Sequence, residues 1–119
     1  MMNRRELGEW GERKALEYLK ANHYEIIETN FRSFLGEIDL IVSDGEYLVF
    51  VEVKTRKSKN FGTPQEAVDF RKQQKIRRIA SIYLAENNYS KLKIRFDVIA
   101  ICVDRENGKG RLRHFENVF

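Results

Sequence analysis

With 119 residues, one cysteine, and 42% apolar against 34% charged side chains, the chain has the make-up of a single folded domain spanning 1–119, which excludes disorder, fibrous repeats and a disulfide framework. Apolar runs stop far short of the ~18 residues of a membrane span and Met1–Arg5 leads into no secretory signal, so the expectation is a cytoplasmic protein without a membrane partner. The net charge of +4 is unevenly placed: residues 1–53 carry 6 basic and 11 acidic side chains, residues 54–119 carry 16 basic and 7 acidic, a pattern that suits either two solvated faces or a carboxylate cluster beside a basic rim.

Asn3 followed by Glu6 has the form of a capping box, and an amphipathic pattern then predicts a helix to about Asn22. The stretches 24–32, 37–43 and 46–55 are rich in Ile, Val, Phe and Tyr and predict a three-stranded meander, with Asp44-Gly45 as a hairpin signal. A polar, basic loop covers 56–62. Thr63-Pro64-Gln65-Glu66 then opens a second helix, periodic to about Asn87 with a break near Asp69. Strands over 91–104 and 111–119, joined by a turn at 106–110, complete the order α-β-β-β-α-β-β, an α/β fold with a mixed sheet flanked by helices.

Chemistry is concentrated where acidic residues interrupt strands that otherwise read as buried. In a hairpin turning at Gly45-Glu46, Asp39 faces Glu52; in one turning at Asp44-Gly45 it faces Phe50 and Glu52 lies diagonally, so either register brings the two carboxylates together. Such a pair needs a cation. Lys54, on the same strand face as Glu52, would serve, as would a hard divalent ion of the Mg²⁺ type held by carboxylates and water. Glu12 is the one charge on the apolar arc of the first helix, where Gly8 and Gly11 suit a close approach to the sheet. Lys72 projects in the sector of the second helix's apolar stripe. Together with Lys75 on that helix and Arg56, Lys57 and Lys59 on the loop, it forms a basic set able to contact phosphates. Tyr47, Phe50, Phe61 and Phe70 suit either core packing or base stacking, His23 and His114 lack ligand-like spacing, and Cys102 reads as a small core residue.

Five ordered blocks carry a resemblance: Gly8-x-x-Gly11-Glu12, Gly36-Glu37-Ile38-Asp39-Leu40-Ile41, Phe50-Val51-Glu52-Val53-Lys54-Thr55-Arg56, Lys72 ahead of Ala80 and Tyr83-Leu84, and Arg95-Phe96-Asp97-Val98. Together they resemble the YraN family (also called UPF0102), whose members are regarded as endonucleases of the PD-(D/E)xK superfamily, distantly similar to archaeal Holliday junction resolvases. The resemblance implies a restriction-endonuclease-like sheet, with Asp39, Glu52, the Val53 carbonyl and Glu12 holding Mg²⁺ or Mn²⁺ and Lys54 placing the attacking water. It implies cleavage of phosphodiester bonds in DNA, including branched or junction DNA, for which a homodimer would suit two symmetric cuts. Gly36-Glu37-Ile38 stands in place of the proline-aspartate wording, so only Asp39 maps onto that motif. A nucleic-acid-binding protein with a vestigial site is the alternative.

Overall fold

Asn3 accepts a hydrogen bond from the Glu6 N–H at 2.9 Å while Glu6 accepts one from the Asn3 N–H at 3.3 Å, and this reciprocal cap starts α1 (Arg4–Ala21). The computed structural model describes residues 2–58, 60–89, 91–104 and 106–119. After α1 come β1 (Glu25–Ser33), β2 (Gly36–Ser43) and β3 (Tyr47–Arg56), then α2 (Pro64–Ala67), α3 (Phe70–Glu86), β4 (Lys93–Val103) and β5 (Gly110–Phe115). The expected break in the second helical segment is real. Asp69 leaves the helix in an extended conformation and caps α3 by accepting from the Lys72 N–H at 2.9 Å.

The five strands form one mixed sheet in sequential order. β1–β2, β2–β3 and β4–β5 are antiparallel, while β3 and β4 run parallel, a pairing that needs a crossover and obtains it from α2 and α3. Alternation along β3 sorts the core into two layers. Val49 and Val51 pack with Leu40, Val42, Ile99 and Ile101 under Ala15 and Leu19 of α1. Leu48 and Phe50 pack with Ile41, Phe96 and Val98 under Ile76, Ile79, Ala80 and Tyr83 of α3. No helix among the described residues is long and apolar enough to cross a membrane.

One of the two open registers is settled, and two local expectations need correction. The β2–β3 pairing, Leu40 with Val51 through Ser43 with Leu48, follows the register that turns at Gly45-Glu46, and the loop is held by Asp44, whose Oδ1 accepts from the N–H groups of Glu46 and Tyr47. The last strand ends at Phe115 and not at 119. Asn117 takes a φ of 53° and donates its N–H to Asp97, so the chain turns and seats Phe119 against Phe96. Finally, only Gly11 serves the close approach of α1: a Cβ there would lie 1.8 Å from Thr55 Oγ1, whereas one on Gly8 would meet nothing within 4 Å.

Candidate metal centre

β2 and β3 part company beyond the Leu40–Val51 pair, and Asp39 occupies the gap, its Oδ2 accepting the Val53 N–H at 2.9 Å. Strand alternation slips at the same place. Ile38 belongs to the layer under α3, yet Leu40, two residues on, belongs to the layer under α1. Across from Asp39 on β1, Asn30 sits between the Thr29–Leu40 and Phe31–Ile38 pairs with a φ of 51°, a left-handed conformation that asparagine tolerates better than most residues. The kink frees the Asn30 side-chain amide to donate to Glu37 Oε1 at 3.0 Å and to Glu12 Oε1 at 3.3 Å.

Around this kink the structure gathers four carboxylates. Glu12 from α1 and Glu37 and Asp39 from β2 each offer an oxygen within 4.8 Å of the other two. Glu52, on the α3 side of β3 and only 6% exposed, lies against Asp39, and its charge is answered by Lys72 Nζ at 3.2 Å. Arg32 reaches Glu37 at 3.2 Å from the solvent side. Burial and the adjoining Glu52 push the Asp39 carboxyl up to about 9, against only partial relief from the Val53 N–H and Lys72. Burial and Asp39 likewise raise Glu12, which the Asn30 hydrogen bond partly offsets. The donor set is all oxygen, which selects a hard cation. Ligand oxygens about 2.1 Å from Mg²⁺ lie at most about 4.2 Å apart, so small side-chain adjustments close the observed spacing.

The sequence-predicted residues divide clearly. Glu12, Asp39 and Glu52 meet as expected, while Glu37 and Asn30 join them unannounced. Glu37 was detectable as the residue two before Asp39 on the same strand; Asn30 was not, because its role depends on the β1–β2 pairing. Val53 presents its N–H to Asp39, and since a strand residue sends N–H and C=O to the same side, its carbonyl faces the same gap. The counter-cation of Glu52 is Lys72 rather than Lys54, which is exposed and forms no ion pair among the described residues.

Among the basic residues, Lys75 packs over Gly36, where a Cβ would come within 2.7 Å of its Cε; the Gly36 φ of 141° is itself a conformation side chains rarely adopt. Arg56 is tied to α2 through Glu66, and Lys57 donates to the Met2 carbonyl at 2.8 Å. Lys59 lies outside the described residues. Of the aromatics considered for stacking, Phe50 is fully buried and Tyr47 half-buried, whereas Phe70 is 73% exposed.

The fold and site together define a class: a mixed α/β sheet whose central strands splay around a carboxylate cluster, bordered by a basic helix. The model of "Uncharacterised protein family UPF0102" matches residues 11–101, which include all four carboxylates, and the chain belongs to that family. It is 50% identical over 105 residues to a UPF0102 protein of Acetivibrio thermocellus, covering 87% of this chain and 81% of the relative. It is 45% identical over 119 residues to one of Caldanaerobacter subterraneus subsp. tengcongensis, covering 99% and 98% respectively.

Proposed function

We propose that this protein is a metal-dependent endonuclease that hydrolyses phosphodiester bonds in DNA, on a restriction-endonuclease-like fold. The observation that carries the reading is the convergence of Glu12, Glu37 and Asp39 oxygens within 4.8 Å, with Asp39 pressed against Glu52 at the edge of a basic helix. Like charges crowded in a half-buried site are costly unless a cation is their intended partner, and Lys72 and Asn30 offset only part of them.

Asp39, Glu12 and Glu37 would hold Mg²⁺ or Mn²⁺, with Glu52 and the Val53 carbonyl completing the protein's share. Such a cation supplies positive charge at the scissile phosphate and a more acidic water. Asn30 fixes the orientation of Glu12 and Glu37, and the Val53 N–H fixes Asp39, so the carboxylates are positioned before substrate arrives. Lys54, two residues beyond Glu52 on the same strand face, orients the attacking water. Lys72 holds Glu52, and Lys75 with its neighbours on α3 receives flanking phosphates. For branched DNA, a homodimer formed along the outer strand β5 would set two cuts symmetrically.

The test is cleavage of labelled four-way junction, flap, single-stranded and duplex DNA with Mn²⁺ or Mg²⁺, with Glu52→Gln run in parallel to expose contaminating nuclease. Cutting by the wild type that is absent from the variant supports the reading. Salt-sensitive DNA binding without any cutting would shift it to a nucleic-acid-binding protein with a vestigial site.

A further inference from the structure

Three large apolar side chains stand at least 36% exposed among the described residues, and two are phenylalanines: Phe34 at 89%, in the β1–β2 turn, and Phe70 at 73%, at the start of α3. Turn chemistry does not explain Phe34. The β1–β2 hairpin closes at the Ser33–Gly36 pair with Phe34-Leu35 as its two-residue loop, where asparagine, aspartate or glycine is the usual choice. Leu35 turns into the core and Phe34 stays in solvent. Helix electrostatics do not explain the surroundings of Phe70 either. Beyond its cap Asp69, the first turn of α3 carries Arg71 and Lys72 and no acidic residue, where acidic side chains are favoured.

We propose that Phe34 and Phe70 form a stacking seat for unpaired bases, so that the nucleic acid taken by the metal centre is single-stranded or splayed at the point of contact. This rests on the nuclease reading above and names its substrate class. A groove of about 490 Å³ runs between Leu35 and Phe70 and is rimmed by Arg71, Lys75 and Arg78. A second, of about 270 Å³, shares Arg71 and Lys75 with it and has Glu37, Asp69 and Lys72 in its wall. The two therefore form one path from Phe70 and Leu35, the chain neighbour of Phe34, to Glu37 of the carboxylate cluster. Cations along such a path track a phosphate backbone, and the aromatic faces beside it match base rings. Duplex DNA keeps its base faces stacked on one another and would meet only the cations; an unpaired strand engages both features.

The experiment measures binding without cleavage: fluorescence anisotropy of labelled oligo(dT) and of a duplex of equal length, in EDTA, for the wild type, Phe34→Ala, Phe70→Ala and Phe34→Trp. Both alanine variants should lower single-strand affinity by about tenfold with less than about a twofold change for duplex, in line with the worth of one base–aromatic stack. Phe34→Trp should retain binding and show its added fluorescence quenched by oligo(dT) but not by duplex. Equal losses on both DNAs, or unchanged binding by both alanine variants, would overturn the seat; the second result would leave the patch to a protein partner. Cleavage in Mn²⁺ separates the two readings. A wild type that cuts DNA while its phenylalanine variants bind normally keeps the nuclease and loses the seat, whereas one that neither binds nor cuts loses both.

Discussion

Two clusters of ionisable side chains lie in the sheet, and they are built on opposite principles. Around Asp97, fully buried on β4, each charge has its complement. Arg95 donates to both carboxylate oxygens at 2.9 Å, His114 Nε2 lies 2.6 Å away, the Asn117 N–H adds a fourth bond, and Tyr24 and Tyr18 close the network on Arg95 and His114. Around Asp39, four carboxylates face two cations and one amide. The first cluster is complete within the chain. The second carries more negative charge than its neighbours answer and is only half-buried where Asp97 is fully buried, the pattern expected of a binding site rather than of scaffold.

The difference shows first in stability. Asp97→Ala leaves the buried Arg95 guanidinium with only the partly exposed Asp44, 3.5 Å away, to answer its charge and should destabilise the fold by about 3 kcal/mol, read from urea denaturation. Asp39→Asn should do the reverse in metal-free protein: it replaces a carboxyl that must take up a proton to sit beside Glu52 with a neutral amide and keeps an oxygen for the Val53 N–H, so the melting temperature at pH 7.5 should rise while cleavage is lost. A loss of stability comparable to that of Asp97→Ala would make Asp39 a scaffold residue and erase the contrast.

Acid and base should act on the clusters in opposite directions. Burial alone would raise Asp97, but hydrogen bonds from His114, Arg95 and Asn117 hold it below the ordinary carboxylate range, so its stabilisation is present above that range and is lost on acidification. Asp39 is raised by burial and by Glu52, so its contribution is fully present below the ordinary carboxylate range and is lost as pH climbs toward about 9. Thermal melts from pH 5 to 9 should therefore show Mn²⁺ stabilising the protein more at the alkaline end, where the cation replaces a proton that the unfolded chain does not hold. A metal-induced shift that shrinks as pH rises would contradict this.

Smaller effects come from the helix that brings Glu12 to the cluster. Gly11→Ala drives a methyl into Thr55 and should cost about 1–3 kcal/mol and weaken metal binding by moving Glu12, whereas Gly8→Ala, in open space, should stabilise by about 0.5–1 kcal/mol and leave metal binding unchanged. Denaturation and Mn²⁺ titration of both variants sharpen the assignment of Glu12 to the site.

The two clusters also differ in how far the sequence reveals them. Caps such as Asn3–Glu6 and Thr63–Glu66 act over three residues, and Asp39 and Glu52 stand out because carboxylates interrupt apolar strands, so both the element order and the heart of the site were legible. Asn30 was hidden because its positive φ arises from the pairing of β1 with β2, whereas Glu37, two residues before Asp39 on the same strand, was within reach although its position departs from the family wording. The Asp97 network was less legible still. It joins Tyr18 to His114 across 96 positions, and only the closed fold shows that a histidine without ligand-like spacing is the partner of a buried aspartate.

The most direct test of the central claim is calorimetric titration of the metal-free protein with Mn²⁺ at pH 7.5, in two buffers of different ionisation enthalpy, for the wild type, Asp39→Asn and Gly8→Ala. Saturable binding with release of a proton by the wild type and Gly8→Ala, and its loss in Asp39→Asn, is the predicted result. Heats that are absent in the wild type, or that persist unchanged in Asp39→Asn, would contradict the assignment of this carboxylate cluster as a metal centre.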